Sequence, residues 1–133
     1  MLTTQTVRTA VVATTVGILC VGTAGAGPAF AGDDEEIRRG HCSGSSDWKL
    51  KVKTDDGRLE VEGEVDSNVN GQRWRWRIRH EGHRAARGRA TTTAPSGSFD
   101  VERRVANAAG SDRVGWRARN PRTGETCRGG LTL

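Results

Sequence analysis

Hydrophobic and polar residues alternate along most of the chain, which is the period of β-strands that bury one face and expose the other. In DWKLKVK (47–53) apolar residues alternate with lysines, and in RLEVEGEV (58–65) they alternate with glutamates. The Asp56-Gly57 pair between the two runs is typical of a two-residue hairpin turn. Three opposite-charge pairs then fix the register: Lys53 with Glu60, Lys51 with Glu62 and Lys49 with Glu64.

The same alternation continues after the hairpin and predicts further strands. They are RWRWRIRH (73–80), a weaker strand near 84–91, SFDVERRV (98–105), DRVGWRARN (112–120) and a last strand carrying Cys127, Leu131 and Leu133. Turn-forming residues separate these runs. About seven short strands at roughly ten-residue spacing, with no helical period, predict an all-β sandwich.

The N-terminal segment has the organisation of a cleavable secretory signal peptide. Residues 1–9 are polar and carry Arg8 as their single charge, and residues 10–26 carry no charge. The Ala29-Phe30-Ala31 sequence offers small residues at the two positions that a signal peptidase inspects. The apolar run is too short, and too rich in Thr and Gly, for a membrane span. We therefore expect a Sec signal peptide over 1–31, cleavage after Ala31 and secretion.

The remaining chain is predicted to hold one small domain. The acidic run GDDEEIRRG suggests a disordered leader over 32–41, followed by the folded domain over 42–133. Without Arg8 the chain has 20 basic and 16 acidic side chains, a net charge near +4. Seventeen of the twenty basic residues are arginines, whose guanidinium groups suit carboxylates and phosphates.

Two cysteines remain after the signal peptide, near the two ends of the predicted domain. Export exposes Cys42 and Cys127 to an oxidising environment, where an even pair usually forms a disulfide. Closing a loop of about 85 residues would stabilise the fold by roughly 4 kcal/mol on the chain-entropy model. No other cysteine is near either one, so neither is predicted to be catalytic or to bind a metal.

The polar residues form no set that predicts catalysis or a cofactor. His80-Glu81-Gly82-His83 resembles a zinc-helix motif with one residue missing, and no third ligand is evident, so no metal site is predicted. The serines lie in glycine-rich loops, but none stands in a G-x-S-x-G nucleophile motif. The sequence therefore predicts a binding protein and no enzyme, metal or cofactor.

The order of these features resembles an immunoglobulin-like β-sandwich, with a Trp-bearing third strand, although the antibody-type Cys…Trp…Cys spacing is absent. The stretches CSGSSDWKLKVK, NGQRWRWRIRH, APSGSF and ARNPRTGETC are similar to a family of small secreted actinobacterial proteins of unassigned function. The similarity covers nearly all of the chain after the signal peptide. It implies export and an immunoglobulin-like fold, and it brings no catalytic residues.

The segment 73–80 exposes four arginines on one face, and its position in the fold decides what they do. If Asn70-Gly71 is a hairpin turn, the strand lies beside 58–65, and its arginines pair with glutamates. If 66–72 instead crosses to the second sheet, the arginines neighbour those of 112–120. The first topology neutralises the charge within the sheet, whereas the second builds a basic face that attracts polyanions.

The immunoglobulin-like strand order favours the crossing topology. The hypothesis is then a secreted binding domain for extracellular polyanions such as cell-wall teichoic acids or acidic polysaccharides. The predicted binding residues are Arg73, Arg75, Arg77, Arg79, Arg117 and Arg119, with Arg113 beside them and Arg84 at the edge. Because an exported protein rarely meets DNA, sequence-specific nucleic-acid recognition is not expected.

Two alternatives to polyanion binding use other surfaces. Trp74, Trp76 and Trp116 could stack on sugars in a carbohydrate-binding module. They share their strand faces with Ile78 and Val114, however, and this favours burial in the core. The other alternative is a protein-interaction or inhibitor domain that uses sheet edges and loops to bind an extracellular protein.

Overall fold

A computed structural model of the chain describes residues 34–133, and the predicted signal peptide over 1–31 lies outside the described residues. This part of the chain forms eight β-strands. They are β1 (Glu35–His41), β2 (Asp47–Asp55), β3 (Arg58–Asp66), β4 (Arg73–His80), β5 (His83–Thr91), β6 (Ser98–Ala106), β7 (Arg113–Arg119) and β8 (Thr126–Thr132). None of the described residues belongs to a helix long and apolar enough to cross a membrane.

The strands form two antiparallel four-stranded sheets, so the all-β, sandwich-like prediction is confirmed. One sheet has the order β1-β2-β3-β6 and the other has the order β5-β4-β7-β8. The chain passes from one sheet to the other after β3, after β5 and after β6. The crossing topology is therefore correct for β4, and the alternative in which β4 pairs with β3 is wrong.

The β2–β3 hairpin has the predicted turn and register. Asp56 and Gly57 both have positive φ values, 47° and 73°, as a type I′ turn requires. The three predicted opposite-charge pairs are all present: Lys53 opposite Glu60, Lys51 opposite Glu62 and Lys49 opposite Glu64. Local turn chemistry and cross-strand charge thus determine this part of the fold together.

The prediction of a disordered leader over 32–41 is wrong for residues 35–41, which form β1 and pair with β2. The hydrophobic alternation that marks the other strands is absent from EEIRRGH. Pairing with β2 and contacts near its C-terminal end hold this strand instead. Gly40 makes room for the Trp48 ring, which a Cβ there would approach to 2.8 Å. The disulfide at Cys42 then holds the end of the strand, so a mainly charged segment becomes an ordered edge strand.

The core lies between the two sheets and is built from the inward residues of both. It contains three fully buried tryptophans, the aliphatic residues of β2 and β3, and Cys127. The large rings fit because glycines face them: Trp116 lies against Gly63, and Trp76 lies against Gly88. Gly63 faces Trp116 from the opposite sheet and Gly88 lies beside Trp76 within its own sheet, so small residues make room for large ones in the thin interior.

The predicted Cys42–Cys127 disulfide is present and joins the two sheets. Cys42 follows β1 of one sheet and Cys127 lies in β8 of the other. Hydrogen bonds reinforce the same corner, because Ser43 N donates to Thr126 O over 2.8 Å and Ser46 N donates to Glu125 Oε1 over 2.8 Å. The bridge closes a loop of 85 residues and ties the two layers on one side.

Candidate anion-binding face

The outward side of the β5-β4-β7-β8 sheet is the most basic surface of the described chain, and we call it the arginine face. Strand alternation creates it, because Trp74, Trp76 and Ile78 of β4 point inward and leave the odd-numbered arginines outside. Eleven arginines occupy outward positions: Arg73, Arg75, Arg77 and Arg79 of β4, Arg84, Arg87 and Arg89 of β5, Arg113, Arg117 and Arg119 of β7, and Arg128 of β8.

Strand register places these arginines in rows across the sheet. One row runs over all four strands and contains Arg87, Arg77, Arg117 and Arg128. The next row contains Arg89, Arg75 and Arg119, and a third begins with Arg84 and Arg79. Neighbouring strands are about 4.8 Å apart, and like charges directly opposite destabilise a sheet. The arrangement is therefore costly for the protein alone.

Within the described part of the chain, no acidic side chain compensates this charge. The four strands contain no Asp or Glu, and within residues 34–133 none of the eleven arginines forms an ion pair within 4.0 Å. The acids at the strand ends have other partners. Glu81 accepts a hydrogen bond from Arg113 N, Glu125 accepts one from Ser46 N, and Asp112 accepts one from Ala108 N.

The centre of the face shows the electrostatic consequence. Partial burial, followed by the nearby charges of Arg79, Arg117, Arg128 and Arg84, lowers the pKa of Arg77. The guanidinium stays charged, because arginine is not deprotonated in proteins. Arg117 Nε, next to it, is buried and has no hydrogen-bond partner among the described residues. Both observations describe cations that an external anion would stabilise.

Shallow grooves run between the arginine rows. The larger one has a volume of about 650 Å³, and arginines of β4, β5 and β7 form its walls over Trp76 and Gly88. A second groove of about 540 Å³ continues past Arg73 and Arg89 to Pro121. A flat, grooved cationic surface of this kind can hold an extended chain with repeated negative charges.

All six arginines predicted to bind anions lie on this face: Arg73, Arg75, Arg77, Arg79, Arg117 and Arg119. Arg84 lies at its β5 edge, as expected. The sequence reasoning missed Arg87, Arg89 and Arg128. A bulge beside Arg79 shifts the alternation of β5, which hid the first two. Arg128 was detectable, because it follows the inward Cys127 and must therefore face outward.

The opposite sheet carries a surface of a different kind, which we call the Lys–Glu face and which comprises the outward residues of β1, β2, β3 and β6. Lys49 Nζ lies 2.7 Å from Glu64 and 2.9 Å from Glu62, and Lys51 Nζ lies 3.0 Å from Glu62. Lys53 Nζ lies 2.9 Å from Glu60. Hydrogen bonds that Lys49 donates to Glu64 and Glu62 raise the pKa of Lys49, and the bond from Lys49 lowers the pKa of Glu62.

The tryptophans provide no sugar-stacking platform on the arginine face, and their predicted burial is confirmed. The exposed fractions of Trp74, Trp76 and Trp116 are 1%, 3% and 1%. Arg103 of β6 covers the open side of the sandwich, with its guanidinium 4.8 Å from the Trp76 ring centre. Trp48 is half-buried at the β1 and β8 side.

The histidine motif at the β4–β5 turn forms a structural contact. His80 Nε2 lies 2.5 Å from Asp112 Oδ1, and both side chains are largely buried. Glu81 is the third potential ligand near them, whereas His83 does not join the cluster. The Asp112 oxygen also accepts the Ala108 N–H, and Glu81 accepts the Arg113 N–H. Each of these three side chains therefore has a hydrogen-bond partner among the described residues.

Comparison with known proteins yields no match: no protein-family model, no curated protein and no solved structure is similar to this chain.

Proposed function

We propose that this chain is a secreted, non-catalytic binding domain that recognises extracellular anionic polymers through its arginine face. One observation carries the proposal: eleven outward arginines lie on one sheet, and among the described residues none of them has a carboxylate partner. A surface of this kind concentrates polyanions and binds them with strong salt dependence. Water and salt screen it in the free protein, and a ligand would do so more completely.

The proposal includes an immunoglobulin-like fold. In that fold the second strand pairs with the fifth, and the third, sixth and seventh strands lie side by side in the other sheet. If β2 is taken as the first strand, then β3 pairs with β6, and β4, β7 and β8 are adjacent. Strand β1 is then an addition at the edge. This adjacency supports the proposed fold type, and the signal-like sequence over 1–31 supports secretion.

The chemistry of the face favours a phosphate- or sulfate-bearing polymer. Guanidinium groups form paired hydrogen bonds with such oxyanions. Base or sugar stacking would need exposed aromatic rings, and the three tryptophans of this sheet are buried. Recognition should therefore depend on the spacing of negative charges and not on base sequence. Cell-wall teichoic acids and acidic polysaccharides, as extracellular polymers, fit this description.

The test is binding to purified poly(glycerol phosphate) teichoic acid over a range of salt concentrations, with neutral dextran as the control polymer. The double variant Arg75→Gln/Arg77→Gln removes two charges from the arginine face. Its matched control, Arg39→Gln/Arg58→Gln, removes two exposed charges from the Lys–Glu face. We expect the first variant to bind about tenfold more weakly and the control to bind like the wild type.

Equal losses in both double variants would show that only net charge matters and would overturn the proposal, as would an absence of binding at low salt. Salt-independent binding to dextran would favour a carbohydrate module. Retention of one protein partner at high salt, with no binding to the polymer, would favour the protein-interaction alternative.

A further inference from the structure

At most positions inside the strands, the structure explains why the residue is glycine. A glycine in a strand is destabilising by roughly 0.5–1 kcal/mol relative to alanine, and it often marks a close approach of another group. A Cβ added at Gly129, Gly63 or Gly88 would lie 2.0, 2.3 or 2.6 Å from a tryptophan ring. These three glycines are therefore required by packing in the core, like Gly40 against Trp48.

Gly115 is the exception. It lies in the middle of β7 at an outward position, in register with Gly130 of β8. A Cβ added at Gly115 would meet only the Arg79 side chain, at an ordinary contact distance of 3.7 Å. Gly130 has a closer neighbour, because its Cβ would approach the Val114 carbonyl oxygen to 3.2 Å. Core packing therefore gives no reason for glycine at position 115.

The missing side chain at Gly115 opens a cavity in the arginine face, which we call the Gly115 notch. It has a volume of about 270 Å³, and its walls include Arg77, Arg79, Arg117 and Arg128. Register explains the enclosure, because Arg79 lies opposite Gly115 on β4, while Arg117 and Arg128 form the next row. Four arginine side chains from three strands thus line one small depression.

The arginine charges around the notch repel one another and have no anion beside them among the described residues. Arg117 Nε is a buried donor with no partner among the described residues. Arg77 is only partly exposed, and the charges that act on it include those of Arg79, Arg117 and Arg128. A compact group with several acceptor oxygens would satisfy the donor, after a small side-chain rotation, and would offset the mutual repulsion. A tetrahedral oxyanion has this shape and charge.

We propose that the Gly115 notch seats one phosphate group of the anionic polymer, held by Arg79, Arg117 and Arg128, while the rest of the face binds the polymer through its overall charge. This inference rests on the proposed function and adds a discrete subsite to it. A phosphate that enters the notch would lie beside side chains of three strands, in contrast to one lying across the full-length side chains of the neighbouring rows. The notch would then fix the position of the chain on the sheet.

Inorganic phosphate is the direct probe for the notch. In an amide NMR titration we expect saturable shifts of the Gly115 and Gly130 signals and of the Arg117 Nε–H signal. Chloride at matched ionic strength should not reproduce them. Signals near Arg87 and Arg89 should move weakly and linearly, as expected for general screening. Signal shifts of equal size, with the same dependence on phosphate concentration over the whole arginine face, would contradict a phosphate site at the notch.

Gly115→Val fills the notch while it keeps every charge, and valine suits a strand better than glycine does. Thr91→Val, which places the same side chain elsewhere on this face, is the control. We expect the first variant to lose the saturable phosphate shifts, with affinity at least about tenfold weaker, and the control to keep them. If the valine variant fails to fold, two other variants test the same prediction: Gly115→Ala and Arg128→Gln. The contact at 3.7 Å leaves room for the alanine side chain.

The two proposals can fail separately. If teichoic acid binds but Gly115→Val changes neither phosphate shifts nor affinity, the notch is overturned and the proposed function stands. If neither phosphate nor the polymer binds at low salt, both are overturned. Both proposals are supported if Gly115→Val loses the phosphate shifts but still binds the polymer. In that case the salt slope of polymer binding should fall by at most about one charge.

Discussion

The Lys–Glu face and the arginine face are built on the same plan but handle charge in opposite ways. Each is the outward side of a four-stranded antiparallel sheet, and each places charged residues at alternate positions. Across β2 and β3, every lysine of the central rungs lies opposite a glutamate. Across β4 and β7, Arg77 and Arg75 lie opposite other arginines. Between β2 and β3 the Lys–Glu face pairs its charges internally, although Glu62 lies opposite Glu102 and Glu64 opposite Asp100 across β3 and β6. The arginines of β4 and β7 have no such pairs among the described residues.

The two faces therefore differ in what their charges do to the stability of the fold. Cross-strand pairs of opposite charge stabilise a sheet and fix its register, whereas pairs of like charge destabilise it. The lysine–glutamate pairs of β2 and β3 therefore contribute to folding, and the arginine face reduces stability, a cost that a bound polyanion would offset under the proposed function. The tryptophan-rich core and the disulfide between the sheets offset that loss.

Cutting the covalent link between the sheets should have the largest effect. Replacing both cysteines, Cys42→Ser with Cys127→Ser, releases a loop of 85 residues in the unfolded chain. We expect the free energy of unfolding to fall by about 4 kcal/mol, measured by urea denaturation. Wild-type protein in reductant should lose a similar amount. A loss below about 1 kcal/mol would show that the β1 and β8 corner is held by its hydrogen bonds instead.

Removing a charge from the Lys–Glu face should destabilise the protein. Glu62 forms ion pairs with both Lys49 and Lys51, and its side chain is only 17% exposed. Glu62→Gln should therefore lower the free energy of unfolding by about 1 kcal/mol. Glu64→Gln is the matched control, because Glu64 pairs with Lys49 alone and is more exposed. Equal losses in the two variants would contradict the idea that the shared glutamate organises the ladder.

Much of this comparison was predictable from sequence, because it depends on local patterns. The Asp56-Gly57 turn determined the lysine and glutamate rungs, and the alternation in 73–80 determined which residues of β4 face outward. The position of β4 beside β7 was a choice between two topologies. That choice depends on the packing of both sheets, and strand order favoured one answer without excluding the other.

Other features were beyond sequence reasoning for physical reasons. Strand β1 is ordered by pairing with β2, by contacts to Trp48 and by the disulfide at Cys42, whose partner Cys127 lies 85 residues further along the chain. The bulge in β5 changes which of its residues face outward, and no composition rule marks it. The notch at Gly115 depends on register across β4, β7 and β8, so it exists only once three strands are paired.

Removing a charge from the arginine face should change the free energy of unfolding in the opposite direction to Glu62→Gln and by a smaller amount. Arg77 has arginines on both neighbouring strands, Arg87 and Arg117. Arg77→Gln should raise the free energy of unfolding by about 0.5 kcal/mol at low salt, because it relieves repulsion. The same variant should reduce the salt slope of teichoic-acid binding by about one charge. Destabilisation by this change would show that the arginine rows contribute to folding after all.

The smallest effect, and the sharpest contrast between the faces, should come from pH. The hydrogen bond from Lys49 keeps the pKa of Glu62 below its ordinary value near 4.5. A lowered carboxyl pKa contributes stability that is fully present above 4.5 and is lost as pH falls through the lower, folded-state value. The difference in unfolding free energy between wild type and Glu62→Gln should therefore shrink as the solution is acidified below 4.5.

Arg77→Gln provides the control in the same acid titration. A guanidinium group does not titrate in this range, so the stabilisation gained by removing Arg77 should persist at every pH at which the protein stays folded. Thermal denaturation of the three proteins at matched ionic strength measures both differences. If the Glu62→Gln difference stayed constant to the acid limit, the Lys–Glu ladder would not be linked to carboxylate titration. If the Arg77→Gln difference vanished with acid, the repulsion assigned to the arginine rows would have another source.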